Sequence, residues 1–233
     1  LFMKWKNIMI LVLLCSVLAS GCQTKNPESE QEPPTSITYH FNSVSDLKRS
    51  LASKEILKQQ AELPPSKQQS KTFDSFLKKH AANGTLYVPI EKDNKLTLRK
   101  KEGYPAIALM SSELFGLPWI WYYFEYQQSD ITIKTTSLSE LNIEYSDKMS
   151  CSEILSLISP TAPNINTYQN YEGYEDVYES KISLEDRSVS CVVFVIKDWK
   201  DYVAFVYEDL YVMVSADLEI LTEDFWKCIS FEK

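Results

Sequence analysis

The chain has 233 residues, of which 44% are hydrophobic, 12% aromatic and 24% charged, and its formal net charge is −8. These values are those of an ordinary globular protein, and they exclude disorder over the whole length. Only 5 residues are glycine, which argues against collagen-like and propeller architectures. An acidic chain without a basic stripe is a poor partner for nucleic acid, so that class is also excluded.

The N-terminal segment has the features of a secretory leader. A short basic stretch, residues 4–6, precedes an apolar run over residues 8–18. A spanning helix needs about 20 apolar residues, so this run is too short to cross a bilayer and matches the core of a signal peptide. The small residues 19–21 then lead directly to Cys22.

This ending resembles the lipobox of bacterial lipoproteins over residues 3–22, with Ala19 where leucine is commoner. The resemblance implies cleavage between Gly21 and Cys22 and a diacylglyceryl group on the Cys22 thiol. The alternative is an ordinary cleaved signal peptide. Because each buried methylene contributes about 0.8 kcal/mol, two acyl chains would anchor the protein durably. We therefore expect a lipid anchor in the cell membrane, with the protein on the extracytoplasmic face.

Three regions follow from these signals. Residues 1–21 form the signal peptide, residues 22–36 a tether rich in Pro, Glu and Gln, and residues 37–233 a single domain, with a split near 136–150 as the alternative. Residues 22–103 hold 14 basic and 10 acidic side chains, whereas residues 104–233 hold 8 and 22. This asymmetry would orient the protein over anionic lipid, or it is simply solvated charge.

Two helices are predicted early in the domain. The first begins at Ser43 or Ser45, ends near Glu62 and has one apolar face, made by Leu47, Leu51 and Leu57. The second ends near Asn83-Gly84 and has a similar stripe, made by Phe73, Phe76, Leu77 and His80.

Strand patterns dominate the rest of the chain. A short strand over 37–41 comes first, and alternating residues around the polar turn 92–95 predict a hairpin. Residues 119–126 are apolar on both faces, which predicts an interior strand followed by a β-branched run over 131–135. Five further strands are predicted, at 177–184, 189–196, 203–207, 210–214 and 228–231.

These elements predict an α+β fold in which two N-terminal helices pack on a largely antiparallel sheet. Two short helices are also expected, near 151–158 and 218–225. The first of these follows Ser150 and Glu153, which have the spacing of a capping box.

The cysteines do not form a complete disulfide framework. Cys15 leaves with the leader and Cys22 takes the lipid, so Cys151, Cys191 and Cys228 remain, an odd number. Cys191 and Cys228 lie in apolar patterns and are expected to be buried small hydrophobes, with a bridge between them as the alternative.

Catalytic, metal and cofactor sites are not predicted. The two histidines, His40 and His80, lack a paired ligand spacing, and His80 falls on an apolar helix face where packing is expected. The isolated glycines exclude nucleotide-binding loops. The acidic segment 172–179 lacks the DxDxDG arrangement of a calcium loop, so a solvated surface is expected. A pair of catalytic carboxylates stays open, because their spatial pairing is invisible in a sequence.

Aromatic residues give the two candidate ligand surfaces. Four tyrosines are spaced by three, three and four residues, which would place them on one side of a helix: Tyr168, Tyr171, Tyr174 and Tyr178. With neighbouring carboxylates they would bind sugar or peptide, although half-buried packing is the alternative. For the second set, core packing is expected rather than a ligand groove: Trp119, Trp121 and Tyr123.

The sequence thus predicts a non-enzymatic surface lipoprotein that contacts the membrane through Cys22 and binds a protein partner or an envelope component. The second hypothesis is a carbohydrate or cell-wall ligand binder that uses aromatic rings. The third is a carboxylate-dependent hydrolase.

Overall fold

The computed structural model describes residues 38–64, 68, 71–81, 88–91, 96–99, 104–111, 118–139, 150, 153, 173–185 and 187–232. All of them belong to one compact unit, residues 36–233. The leader, the tether and Cys22 lie outside the described residues, so lipidation and the three-part division stay predictions.

Within this part of the chain the fold is mixed α+β and mostly antiparallel sheet, which confirms the predicted class. The helices are α1 (Val44–Ala52), α2 (Glu55–Glu62), α3 (Lys71–Ala81) and α4 (Glu223–Lys227). The strands are β1 (Tyr39–Phe41), β2 (Val88–Glu91), β3 (Leu96–Leu98), β4 (Ile107–Ser111), β5 (Pro118–Tyr126), β6 (Ser129–Ser137), β7 (Tyr174–Leu184), β8 (Arg187–Ile196), β9 (Asp201–Tyr207), β10 (Leu210–Ala216) and β11 (Ile229–Glu232).

Nine strands form the main sheet in the order β1-β4-β5-β6-β10-β9-β8-β7, and β3 pairs with the same edge of β5 as β4. Strands β7 to β10 follow one another as a meander, because short turns join antiparallel neighbours. The predicted strands in this region are confirmed, and β5 is interior as expected.

The tight turns of the sheet use residues other than glycine. Gln127, Gln128, Glu185, Asp198 and Glu208 all have positive φ, between 47° and 66°. In the β5–β6 hairpin, two residues with positive φ join the paired ends Tyr126 and Ser129, as in a type I′ turn. Because glycine is scarce in this chain, residues with side chains occupy these left-handed positions, and the backbone of the turns is strained.

The main hydrophobic core covers one face of the sheet. Alternate residues of β5 point into it (Ile120, Tyr122 and Phe124), as do Phe205 on β9 and Val212 on β10. Helix α4 contributes Phe225, whose ring centroid lies 5.3 Å from that of Tyr126. We call this side of the sheet the core face and the opposite side the outer face.

The first predicted helix is wrong in its extent, because the structure divides it into α1 and α2. Ser43 caps α1 as expected, accepting a hydrogen bond from the backbone N–H of Asp46 at 3.1 Å. Lys54 then adopts a left-handed conformation with φ 59°. Leu51 and Ile56 are both buried but five residues apart, so a continuous helix would turn them to different faces. The break restores one buried face and leaves Leu57 only partly buried.

The hairpin predicted around residues 92–95 is wrong. Strand β2 pairs with β11 in a separate two-stranded sheet, with Ile229 opposite Glu91, whereas β3 pairs with β5. Residues 92–95 have a turn-like sequence, which indicates only local structure. Each of the two flanking strands pairs with a strand that is distant in the sequence.

The predicted C-terminal helix begins later than expected. Two successive turns, closed by the hydrogen bonds Ile220 N–H to Asp217 O and Leu221 N–H to Leu218 O, precede α4. The capping box is confirmed, since Ser150 donates to the Glu153 carboxylate from its N–H at 2.6 Å and its hydroxyl at 2.7 Å. The body of the 151–158 helix lies outside the described residues apart from Glu153.

Cys191 and Cys228 are both buried, as predicted, and no disulfide joins them. The Cys228 thiol donates to the carbonyl of Asp224 at 3.1 Å, one turn back along α4. Cys151 lies outside the described residues.

Candidate functional site

The four-tyrosine surface does not form as the spacing predicts. Tyr168 and Tyr171 lie outside the described residues, and Tyr174 and Tyr178 lie on the strand β7 rather than on a helix. A bulge between Tyr174 and Asp176 shifts the register, so that Tyr174 pairs with Ile196 and Tyr178 with Val193. The two tyrosines therefore lie on opposite faces of the sheet, and the Tyr174 ring contacts Phe194 at 5.7 Å between centroids.

The second aromatic set lies on the outer face of β5. Trp119, Trp121 and Tyr123 are half-buried and alternate with the core residues of the same strand. The expectation that they pack in the core is therefore wrong for the main core. They contact other aromatic rings instead: Trp119 meets Tyr211 edge-on at 5.8 Å, and Trp121 lies 6.4 Å from Tyr123.

Lys134 lies at the centre of this outer face. It is paired across the sheet with Trp121 on β5 and with Met213 on β10, and cross-strand partners share a face. Its side chain is buried, with 6% relative exposure. Its Nζ lies 3.9 Å from the ring centroid of Trp121 and 5.3 Å from that of Tyr202, so two aromatic faces receive the ammonium group.

Burial lowers the pKa of Lys134 to about 8, because the apolar surroundings disfavour the charged form. No ion pair joins this ammonium to a carboxylate within the described chain. The cost of burying an unpaired cation makes Lys134 a candidate functional residue.

The outer face continues to an exposed end beside the β5–β6 turn. There Glu125 and Asp130 lie opposite each other across the strands, an arrangement that like charges disfavour. Arg99 reduces the repulsion between these carboxylates by forming an ion pair with Asp130 at 2.6 Å. The Lys200 ammonium donates to the Asp130 carbonyl. The Arg99 guanidinium also lies 5.6 Å from the ring centroid of Tyr123.

Two large aromatic side chains are exposed at this end. Tyr104 is 55% exposed, and its ring centroid lies 5.9 Å from the Arg99 guanidinium. Trp199 is 50% exposed, in the turn between β8 and β9 and directly before Lys200. Tyr202, three residues further along the chain, connects this turn to Lys134, because its ring centroid lies 5.3 Å from the Lys134 Nζ. Burial raises the pKa of Tyr202, and hydrogen bonds with Ser215 and Trp199 partly oppose this rise.

We name this arrangement the aromatic strip. It comprises the partly exposed or exposed rings Tyr104, Trp121, Tyr123 and Trp199, the buried Tyr202, and the cations Arg99, Lys134 and Lys200. Chemically, it offers ring faces for stacking, with the cations Arg99, Lys134 and Lys200 and the carboxylates of Glu125 and Asp130 beside them.

Sequence reasoning missed most of this strip. It found Trp121 and Tyr123, but the other members come from separate elements that only the sheet order brings together. Two local signals existed. Lys134 interrupts a β-branched run (ITIKTT), and Trp199 lies in a polar turn (KDWKD), where an aromatic side chain has little to pack against.

A separate pocket of about 360 Å³ lies between β1 and the first two helices, and its lining includes His40, Asp46 and Glu55. It brings two carboxylates to one cleft, the feature that would favour a hydrolase. Arg49 forms an ion pair with Asp46, however, so one of the two is held by a cation. His80 is buried elsewhere, on α3, with its ring 4.3 Å from that of Phe76, which agrees with the predicted packing.

No three His, Cys, Asp or Glu side chains converge as metal ligands within the described ranges. In the same part of the chain, no helix combines the length and hydrophobicity that crossing a membrane requires. No protein-family model, curated protein or solved structure matches the chain.

Proposed function

We propose that this chain is a membrane-anchored surface lipoprotein whose non-enzymatic extracytoplasmic domain binds a component of the cell envelope. The leader and its resemblance to a lipobox support the anchor on Cys22, with the membrane as one partner. The aromatic strip supports the binding role, and we infer that its ligand contains sugar rings.

The observation that carries this proposal is the exposure of Tyr104 and Trp199, at 55% and 50%. Such exposed aromatic side chains have few contacts within the protein to lose. A ligand that covers them adds apolar contact. Flat rings stack on the apolar faces of sugars, while the neighbouring Arg99, Lys200 and carboxylates hydrogen-bond with hydroxyl groups.

The charges favour a ligand that also carries anionic groups. Arg99, Lys134 and Lys200 place cations next to the rings of the strip, on a chain whose formal net charge is −8. A buried ammonium costs stability, and Lys134 places positive potential against the rings of Trp121 and Tyr202.

Substitution of the exposed rings tests this binding role. We expect Trp199→Ala and Tyr104→Ala each to weaken binding of isolated cell-wall fragments by about tenfold, because exposed aromatic anchors dominate such contacts. The measurement is co-sedimentation of the full-length, detergent-solubilised protein with the fragments. Tyr178→Ala is the matched control, since Tyr178 is 38% exposed but lies on β7, outside the strip. Equal binding by all four proteins, wild type included, would contradict the assignment.

A protein partner is the second candidate function. Strand β7 exposes the acidic side chains of Glu175, Asp176 and Glu179. These charges favour contact with a basic protein partner. If the wild type binds no cell-wall fragment of the panel, a protein partner becomes the better supported function.

We also propose that the N-terminal helices pack on the sheet. The Phe73 ring of α3 stacks near Tyr39 of β1, with centroids 6.4 Å apart and an interplanar angle of 19°. Gln60 of α2 donates to the Tyr39 hydroxyl. Buried Leu47 and Phe76 belong to the same hydrophobic cluster as the sheet residues.

Truncation of Phe73 tests this packing. Phe73 has 0% exposure, so Phe73→Ala should lower the free energy of unfolding by about 3–5 kcal/mol. Lys78→Ala on the exposed side of the same helix should change it by less than about 0.5 kcal/mol. Urea unfolding measures both, and a Phe73→Ala cost close to that of Lys78→Ala would contradict helix packing on the sheet.

A further inference from the structure

The strand β7 is a long edge of the main sheet. Within the described residues it pairs only with β8, and it has 11 residues, whereas the opposite edge strand β1 has 3. An edge strand exposes a row of backbone N–H and C=O groups that can pair with another strand. Charged side chains usually discourage such pairing, and β7 carries several.

The backbone direction at this edge follows from one hydrogen bond. The Ile196 N–H on β8 donates to the Asp201 carboxylate on the β9 side at 3.0 Å, so Phe194, two residues back, also faces β9. Its partner Val177 therefore faces away from β8. Backbone groups alternate along a strand, and the N–H groups of Glu179, Lys181 and Ser183 therefore also point away from β8. Any added antiparallel strand must pair with these residues.

Within the regular part of β7, the side chains favour one self-complementary register. If two copies of β7 pair around a two-fold axis at Ser180, Glu179 of each copy lies opposite Lys181 of the other. Axes at Glu179 or Lys181 would place like charges directly opposite each other, which is unfavourable. An axis at Tyr178 would pair Lys181 with Glu175, but Glu175 lies in the bulge, where the register is irregular.

We propose that β7 is the surface through which two copies of this chain associate, by antiparallel pairing centred on Ser180. The pairing exchanges backbone hydrogen bonds between Glu179 and Lys181 of the two copies and forms two cross-strand ion pairs. It continues the sheet across both copies, and both copies keep the core face on the same side. It is independent of the aromatic strip.

A charge swap tests the register. Full-length chains with donor or acceptor fluorophores at the C-terminus are reconstituted at low density in lipid vesicles, and energy transfer reports association. Glu179→Lys or Lys181→Glu alone should weaken association by about tenfold, because each places like charges opposite each other twice. The double swap E179K/K181E should restore it. Glu62→Lys, at the end of α2 and away from β7, should have no effect.

A second measurement does not depend on these charges. In a mixture of Glu179→Cys and Lys181→Cys chains, the two new thiols are in paired positions about 5.5 Å apart at Cα, within the range of a disulfide. Oxidation of the mixture should therefore yield mixed disulfide-linked dimers. Their yield should exceed the yield of dimers from Glu179→Cys chains alone. Absence of energy transfer in the wild type, failure of the double swap to restore it, or equal cross-linking in both thiol experiments would overturn the proposal.

Discussion

Replacing Cys22 with alanine should move the protein from the membrane fraction to the soluble fraction. The Cys22 thiol is the proposed attachment point of the diacylglyceryl group, and two acyl chains supply the free energy that holds the chain at the bilayer. Fractionation of cells that express the variant, followed by immunoblotting, measures the change.

Cys15→Ala is the matched control, since Cys15 lies within the leader and is not expected to be modified. It should stay in the membrane fraction like the wild type. Retention of Cys22→Ala in the membrane, with its leader removed as usual, would contradict the lipoprotein assignment.

Replacing Lys134 with methionine should stabilise the fold at neutral pH. The pKa of Lys134 is about 8 in the folded protein against 10.5 for an ordinary lysine. Below pH 8 both the folded and unfolded states hold the proton, and the folded state bears the full cost of the buried charge, about 3 kcal/mol. Methionine fills similar space without this cost.

The advantage of the variant should shrink as the pH rises. Between pH 8 and 10.5 the folded wild type loses the Lys134 proton before the unfolded chain does, so its free energy of unfolding increases. The difference between variant and wild type should fall from about 3 kcal/mol at pH 7 to about 1 kcal/mol at pH 10. Urea unfolding at several pH values measures it, with Lys78→Met as an exposed control. A difference in the free energy of unfolding that stays constant with pH would contradict a destabilising buried charge at Lys134.

Much of the sheet is predictable from the sequence because its strands are local hairpins. Strands β8, β9 and β10 alternate or are continuously apolar, and short polar turns separate them, so their order and pairing follow from chain proximity. The interior position of β5 follows from its apolar residues on both faces.

The errors in the fold have a common cause. Strand β2 pairs with β11, which is more than a hundred residues away, and no local pattern encodes such a pairing. The break at Lys54 requires a left-handed lysine, which helix propensity does not indicate. The bulge in β7, which separates Tyr174 from Tyr178, is likewise a feature of strand pairing rather than of spacing.

The candidate site is less predictable than the fold. Aromatic residues on β5 form a visible cluster in the sequence, but their orientation away from the main core depends on which face of the sheet carries that core. Lys134 reaches Trp121 and Tyr202 only because β6 lies between β5 and β10, with β9 next in the sheet. The exposure of Trp199 depends on the conformation of its turn.

The most direct measurement of the central proposal is thermal unfolding of the detergent-solubilised full-length protein with and without a panel of cell-wall fragments and oligosaccharides. A ligand present at a hundred times its dissociation constant adds about 2.7 kcal/mol to the stability, enough to raise the midpoint by several degrees. We expect such a rise for an anionic, sugar-containing member of the panel, and we expect the rise to be lost in Trp199→Ala. An unchanged midpoint across the whole panel would contradict the proposal that the aromatic strip binds an envelope component.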